Sequence, residues 1–294
     1  MSFGYQVMAQ YHVFSVGGRF GGNGYQLESS DPNLKAKFGV QAMGDLAYTY
    51  YGDIDSFDTN LGFKIGVSAG WGRNHLVSGY QNSFVNYDYE GREMDYTVTT
   101  DNVTQTIDQF EAEVSFMLAF RYSGVCVNAG IKGLFPFKST YKQKVNGLNI
   151  DAYYPEYDVH VTNELITGMA EEDKYSLRGD VNVPRINLEA GIEFGYEFEL
   201  EENEHALGIL GYVDYCFWNN YEGTALGTDN MITVDPISDP NYPVPNVNIG
   251  IISESSVLAM NHIDVGVKLY YRFSVEAGST YSRSGGHRYM HRRL

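Results

Sequence analysis

The sequence predicts an all-β fold, in which eight antiparallel strands of up-and-down topology close into a transmembrane β-barrel. Three observations predict it: apolar residues that alternate with polar or small ones, aromatic residues near the ends of the apolar faces, and connections that are alternately short and long. Alternation with a period of two indicates strands. The other two features are typical of barrels that span an outer membrane.

The composition excludes several other classes of protein. No window approaches the roughly 20 consecutive apolar residues that a spanning helix needs, and the 25 Tyr, 16 Phe and 32 Gly favour strands over long helices. The net charge of −17 opposes binding to nucleic acid. The 2 Cys lack CxxC spacing and are too few for a disulfide scaffold.

Eight segments carry the alternation. In the clearest of them, 186–200, one parity is apolar throughout, while Glu189, Glu193 and Glu197 stand on the other parity. The last segment, 257–273, alternates in the same way. In chain order the predicted strands are 14–20, 37–50, 61–71, 110–121, 125–137, 186–200, 207–218 and 257–273.

A soluble sandwich or a lipocalin-like barrel would show the same alternation. The polarity of each face therefore has to distinguish these soluble folds from a membrane barrel. The polar parity holds isolated charges among glycines, and the apolar parity is large and continuous. Aromatic residues near the ends of an apolar band are typical of a bilayer interface and favour the membrane barrel. These aromatics are Phe20, Tyr48, Tyr50, Trp71, Phe120, Tyr122, Tyr271 and Phe273.

The connections alternate in length without exception. The short ones are 51–59, 123–124 and 201–204, as periplasmic turns of such barrels are. An even number of strands then leaves both termini in the periplasm, with residues 1–273 as the barrel and 274–294 as a basic, flexible periplasmic tail. The long external loops are predicted at about 21–34, 74–103, 145–184 and 220–253.

The chain resembles the small OmpA/OmpX-type outer-membrane β-barrel family, in the version with long loops seen among Bacteroidetes. The resemblance covers about residues 5–273, and it rests on pattern, topology and a final strand that ends on the aromatic Phe273. It implies an outer-membrane location and a last strand that the barrel-assembly machinery reads. The residues after Phe273 are a departure from the family pattern, and they are too few for a peptidoglycan-binding domain.

Charged residues on the inward parity are the most specific feature of the chain. An eight-stranded barrel is just wide enough for its side chains to fill, so charges inside it have to pair. We expect a salt-bridged plug without permeation; the alternatives are a narrow gated pore, or Glu189, Glu193 and Glu197 holding protons or a cation. The predicted network comprises Arg19, Lys37, Asp45, Lys64, Glu111, Glu113, Arg121, Lys132, Glu189, Glu193, Glu197, Asp214, Asp264, Lys268 and Arg272.

The predicted loops are acidic and rich in tyrosine. Exposed tyrosine at this density is compatible with a binding surface for sugar or protein. The alternative is that the strands continue beyond the membrane and the tyrosines pack the loops together. The candidate surface consists of Tyr80, Tyr87, Tyr89, Tyr96, Tyr153, Tyr154, Tyr157 and Tyr242.

No catalytic, cofactor-binding or metal-ligating residue is predicted. His75 and His160 are the histidines of the external half, and no family-like spacing joins them to Ser78, Ser83, Asp88 or Asp158. The loop carboxylates Asp229, Asp235 and Asp239 lack the spacing of a calcium-binding loop.

The function expected from these features is that of a non-enzymatic outer-membrane barrel, either a structural component of the envelope or an accessory subunit of a larger complex. The alternatives are a surface-binding or adhesion protein that uses its tyrosine-rich loops, and an enzyme that modifies lipid or peptide. The expected partners are outer-membrane lipid and lipopolysaccharide, with other proteins through the loops or through the basic tail 274–294. Cys126 and Cys216 are expected at opposite rims, too far apart for a disulfide.

Overall fold

The computed structural model describes residues 10–54, 59–88, 90–162, 176–201, 205–221, 232–234 and 247–276. This part of the chain is nearly all β, with thirteen strands and one short helix, and it contains no helix long and apolar enough to cross a membrane. The elements are β1 Gln10–Ser29, β2 Lys35–Ile54, β3 Thr59–Tyr87, β4 Glu93–Tyr122, β5 Val125–Asn146, β6 Asn149–Tyr154, β7 Val159–Thr162, β8 Ser176–Asp180, β9 Asn187–Glu201, β10 His205–Asn219, β11 Ile232–Val234, β12 Val247–Ile249, α1 Ile252–Ser256 and β13 Val257–Glu276.

Eight of these strands form a closed ring. Each pairs antiparallel with the next in the order β1, β2, β3, β4, β5, β9, β10 and β13, and β13 pairs with β1. The eight antiparallel strands predicted in chain order are therefore confirmed. At the short connection between β4 and β5, Ser123 and Gly124 have φ of 48° and 81°, and a type I′ hairpin turn requires positive φ at both residues.

Two of the segments predicted as long loops, 21–34 and 74–103, are largely strand, and the other two contain short strands, which corrects the sequence interpretation. β1 continues to Ser29, and β3 and β4 pair as far as Tyr87 and Glu93, so little of 74–103 is loop. β6, β7 and β8 lie within 145–184 and extend the sheet to eleven strands, while β11 and β12 pair within 220–253. Threonine-rich stretches such as 97–106 suit strands, but the alternation there has a polar outer face and does not stand out.

The outer face of the ring is apolar over a broad belt. On β4 the outward side chains run from Tyr122 to Phe110, and Phe116 and Leu118 are 57% and 65% exposed. On β3 they run from Leu61 to Trp71, and apart from Met117 the inward neighbours on both strands are polar, charged or small. A water-soluble protein rarely exposes an apolar patch of this extent.

The polarity of the two faces inverts beyond this belt. Outward, Trp71 is followed on β3 by Arg73, and Phe110 is preceded on β4 by Asp108. Inward, polar residues give way to fully buried Ile107. The ring therefore has a polar interior and an apolar exterior at one level, and the reverse arrangement at the next.

The buried apolar core lies at this second level, away from the short connections. It joins the inner face of the extended ring to the β3–β4 hairpin and to β6. Its members are Leu76, Tyr80, Met94, Tyr96, Val98, Val103, Ile107, Val145, Ile150, Ala152, Val181, Val183 and Ile252.

Candidate functional site: the charged interior of the ring

Fourteen of the fifteen charged residues predicted to face inward are buried in the ring, each less than one-tenth exposed. Their strands alternate between buried and exposed positions, which directs every second side chain to the interior. The fourteen are Arg19, Asp45, Lys64, Glu111, Glu113, Arg121, Lys132, Glu189, Glu193, Glu197, Asp214, Asp264, Lys268 and Arg272.

Lys37 is the exception, and its inward assignment is wrong. The β2–β3 pairing shifts between Lys37, opposite His75, and Val40, opposite Arg73. This β-bulge places one extra residue on β2 and reverses the parity of everything before it. Ala36 therefore packs against the apolar core, and Lys37 is exposed.

Glu193 holds the centre of the interior. Its carboxylate accepts from Lys64 Nζ at 2.5 Å and from Lys268 Nζ at 3.4 Å, and Asn128 donates to it at 2.8 Å. Lys268 also lies 3.4 Å from Asp45. Residues of five ring strands thus meet at one carboxylate and its cationic partners.

A second group lies beside it. Lys132 Nζ is 2.8 Å from Asp214, and Arg19 contacts both Asp214, at 3.4 Å, and Glu113. Both cations face the ring of Tyr212, at 5.6 Å for Arg19 and 5.8 Å for Lys132. The aromatic face adds a favourable cation–π contact in a region without bulk water.

Glu197 and its partners fill the end of the interior nearest the short connections. Its carboxylate lies 3.1 Å from Arg121 Nε and 3.4 Å from Arg272 Nε, and the Tyr270 hydroxyl donates to it at 2.7 Å. Arg121 also pairs with Glu199 at the edge of the ring. Each of these charges has an opposite charge beside it, as burial requires.

At the far end of the network His262 lies 2.8 Å from Glu189 and 3.6 Å from Asp264. Gln41 Nε2 donates to Glu111 at 2.7 Å and to Asp264 at 3.4 Å. A cavity of about 10 Å³ opens here, which is room for a single water. The predicted charge network omits His262, although this residue stands on the inward parity of the last strand.

A short segment before β13 covers this end. Gln105 accepts from the Ser253 backbone N–H at 3.0 Å and donates to its hydroxyl at 2.9 Å. Gln143 accepts from the Ile252 N–H at 3.0 Å and donates to the Gly250 carbonyl at 2.8 Å. Residues 250–256, which include α1, are therefore held inside the ring by two buried glutamines, and Ile252 completes the apolar core.

The predicted tyrosine surface divides into buried and exposed members. Tyr80 and Tyr96 are 5% and 1% exposed and belong to the apolar core, so their assignment to a binding surface is wrong. Tyr153 and Tyr154 are half-buried, whereas Tyr87 and Tyr157 are exposed. Tyr89 and Tyr242 lie outside the described residues.

The tip of the β3–β4 hairpin is organised by Asp88. Burial alone would raise the pKa of its carboxyl, but the Arg92 N–H, the Arg92 guanidinium and the Glu90 N–H all donate to it and hold the pKa below its ordinary value. Arg92 also donates to the Tyr157 hydroxyl at 3.1 Å. The tips of β3–β4 and β6–β7 therefore form one surface, named the tip surface below, with Tyr87 beside Asp88.

The two external histidines contact different partners. His75 Nδ1 is 3.1 Å from the Thr106 hydroxyl, and His160 Nδ1 is 2.9 Å from Asp151. His75 lies on β3 and His160 on β7. Of the other polar residues considered with them, Ser78 is buried and donates to Asp31, and Ser83 contacts Thr97.

No family model matches the chain, and no curated protein matches it. Among solved structures, the outer membrane protease OmpT from Escherichia coli is similar at 9% identity and a TM-score of 0.30, covering 93% of this chain and all of OmpT. The translocator domain of the autotransporter NalP from Neisseria meningitidis is similar at 7% identity and a TM-score of 0.20, covering 92% and 90% of the two chains. At these TM-scores neither likeness bears on the fold or on a function.

Proposed function

We propose that this chain is a non-enzymatic outer-membrane β-barrel, and that it serves as a structural component of the envelope or as an accessory subunit of a larger complex. The proposal includes the OmpA/OmpX-type relationship indicated by the sequence pattern. One observation carries it: the apolar belt around the ring, bounded by the inversion of polarity at Trp71 and Phe110.

The height of the belt supports a membrane location. Ten residue steps separate Leu61 from Trp71 on β3, or roughly 33 Å along the strand at about 3.3 Å per residue. For strands tilted by about 40°, this corresponds to a height of about 25 Å, the height of the apolar band of outer-membrane barrels. The outward side chains of β3 from Leu61 to Trp71 and of β4 from Tyr122 to Phe110 carry no charge, and Lys138 on β5 pairs with Phe110 at the edge of the belt.

The filled interior supports a structural role and argues against the role of a channel. The cross-ring pairs of Glu193, Asp214 and Glu197 occupy successive levels, and the segment 250–256 covers the far end. Opening a path for ions would separate buried charges from their partners, which costs several kcal/mol for each ion. We therefore expect no steady permeation.

A row of outward polar side chains, three of which are cationic, supports the orientation and the lipid partner. Beyond the belt, Lys37, His75, Thr106, Lys142 and Arg178 lie side by side on five adjacent strands. The phosphates of lipopolysaccharide would meet this row if the long hairpins face outward, because cations pair with phosphate oxygens. Both termini then lie in the periplasm.

Reconstitution tests the proposal. We expect the purified protein to require detergent, to migrate faster in gels before boiling than after, and to give at most small and rare conductance in planar bilayers where a general porin serves as the positive control. A monodisperse protein in water without detergent would contradict the membrane assignment. Large, steady conductance would contradict the structural role.

Isolation from the membrane distinguishes a structural component of the envelope from an accessory subunit of a complex. A tagged chain extracted in mild detergent is expected to bring down stoichiometric envelope proteins if it is an accessory subunit, and to migrate as a lone barrel if it is a structural component. The matched control deletes residues 277–294, the part of the predicted tail beyond β13, because this part carries all of the tail's arginines.

Binding through the tip surface is a second candidate function, and the contact between Arg92 and Tyr157 favours it. This contact joins two hairpins into one exposed surface that also displays Tyr87. Cells that display the Tyr87→Ser/Tyr157→Ser double variant should lose retention on glycan or matrix-protein arrays. Equal retention of the variant and the parent chain would exclude this role.

A further inference from the structure

The buried charges of the ring are unevenly distributed. The fourteen comprise eight carboxylates and six cationic side chains. Every one of the six cations lies within 4.0 Å of one or more of five carboxylates, which are Asp45, Glu113, Glu193, Glu197 and Asp214.

The other three carboxylates are Glu111, Glu189 and Asp264. Among the described residues no lysine or arginine lies within ion-pair distance of any of them, and the one basic side chain in contact is His262. All three are at most 3% exposed. Among the described residues, this end of the interior therefore has more negative than positive charge. Buried charge without compensation is prohibitively costly.

The same residues have the spacing of metal ligands. His262 Nε2 lies 2.8 Å from Glu189 Oε1 and 3.6 Å from Asp264 Oδ2, and one ligand atom from each residue falls within 4.8 Å of both others. Ligands at about 2.1 Å from a tetrahedral ion are roughly 3.4 Å apart. The three side chains need only small rotations to reach that arrangement.

A second observation, independent of the acidic cluster, points to a cation. The cavity beside Asp264 and His262 is lined by Asn23, Gln41 and Asn74, which are 5%, 3% and 2% exposed. The amide oxygen of each has no hydrogen-bond donor within the described part of the chain. Because the Gln41 amide nitrogen donates to Glu111 and Asp264, its oxygen is held in the opposite direction.

Unpartnered acceptors also occur on the two carboxylates themselves, at Glu189 Oε2 and Asp264 Oδ1. Buried polar atoms are almost always hydrogen-bonded. This set of unpaired atoms consists of oxygens alone, which a cation satisfies directly and a single water in about 10 Å³ satisfies only in part.

We propose that Glu189, His262 and Asp264 bind a divalent zinc ion, with a water in the adjoining cavity as the fourth ligand. Two carboxylates and a neutral imidazole suit Zn²⁺, and the ion would neutralise both carboxylates. Glu189 lies on β9, and His262 and Asp264 lie on β13. The ion would therefore cross-link two strands that β10 separates in the ring.

The alternative metal cluster, formed by Glu113, Glu189 and Asp214, is less suitable. Its three carboxylates approach one another as closely, but Arg19 and Lys132 already pair with Glu113 and Asp214. A cation there would meet two resident cations, whereas the proposed site contains none.

The test uses the full chain, folded in detergent, stripped with a chelator and freed of any affinity tag. Titration with ZnCl₂ in a calorimeter is expected to show one site and to raise the thermal midpoint of the stripped protein. His262→Gln, with Asp264→Asn as a second variant, should abolish that site and the thermal shift. Faster gel migration before boiling establishes that each variant has folded.

Two controls separate this site from other zinc binding. His287→Ala/His291→Ala removes the histidines of the tail, and Asp45→Asn neutralises a buried carboxylate outside the site; both should keep the site and the thermal shift. X-ray absorption at the zinc edge of the wild-type chain should show nitrogen and oxygen ligands only. A stripped wild-type chain that takes up no zinc, or zinc whose ligands include sulfur, would overturn the proposal.

Discussion

Lys64 on β3 and Glu193 on β9 form an ion pair of 2.5 Å across the interior of the ring. Two strands separate them on one side of the ring and four on the other, so the pair joins distant parts of the wall. Glu193 also faces Lys268 and, at 4.0 Å, Lys132. The centre of the interior therefore depends on one carboxylate shared by several cations.

Removing the cation of this pair should destabilise the folded chain. Lys64→Met is expected to lower the free energy of unfolding by about 3 kcal/mol, because it removes one partner of a buried carboxylate. Glu193→Lys should cost more, since it brings several like charges together. Urea unfolding in lipid vesicles, followed by tryptophan fluorescence, measures both. The exposed Lys142→Met is the matched control, and an equal loss in Lys64→Met and in the control would contradict the role of the pair.

A charge in the apolar belt should be costly only within the bilayer. Phe116→Arg is expected to lower the free energy of unfolding in lipid vesicles by about 2–4 kcal/mol, because Phe116 lies at the middle of the belt on β4. Thr104→Arg, which faces outward on the same strand beyond the belt, is the matched control and should change it by less than about 0.5 kcal/mol. Similar losses in the two variants would indicate that the belt does not contact lipid.

The two cysteines should stay reduced in an oxidising compartment. Cys126 pairs with Gly195 on β9, and Cys216 pairs with Glu189 on the same strand. Six residue steps at about 3.3 Å place the thiols about 20 Å apart along the strand, far beyond the roughly 7 Å between Cα atoms that a disulfide allows. Mass spectrometry without reductant should give the mass of two thiols. A Cys126–Cys216 bond would show that the strand register is wrong.

The β3–β4 tip should lose order in acid. Because the pKa of Asp88 is depressed in the folded chain, its hydrogen bonds contribute full stability above the ordinary value of 3.8, and they are lost as the pH falls through the lower, folded value. Amide exchange at Glu90 and Arg92, corrected for the intrinsic rate, should therefore quicken in acid, and Asp88→Asn should quicken it at neutral pH. Glu93→Gln, on the same hairpin, should not. Unchanged protection of the tip in acid would count against this assignment.

Much of the ring could be predicted from periodicity because each of its strands has two chemically different faces. The outward parity of 61–71 and 110–121 is apolar without interruption, and that signal survives in a single sequence. The same signal led to a wrong prediction of a loop at 74–103, where the outer face of the strands is polar and the alternation no longer stands out. It also misled at Lys37, because a β-bulge at Phe38 and Gly39 reverses parity without any mark in the composition.

The candidate zinc site could be predicted only in its parts. The alternation predicts Glu189 and Asp264 as inward charges, but the predicted network omits His262, and Asn23, Gln41 and Asn74 have no special pattern. Glu189 and His262 are 73 residues apart in the chain, and their contact depends on the register of β9, β10 and β13 together. No local pattern encodes a distance across three strands.

By itself, the sequence determined the eight strands of the ring, their antiparallel order and the parity of most side chains, because alternation and turn chemistry act between residues close in the chain. The tertiary structure alone decided which inward charges meet, how far the strands continue beyond the belt and that Tyr80 and Tyr96 are buried. Those outcomes depend on closure of the ring, which places β1 against β13 and Lys64 against Glu193. Closure is a property of the whole sheet, so its consequences cannot be obtained from any one segment.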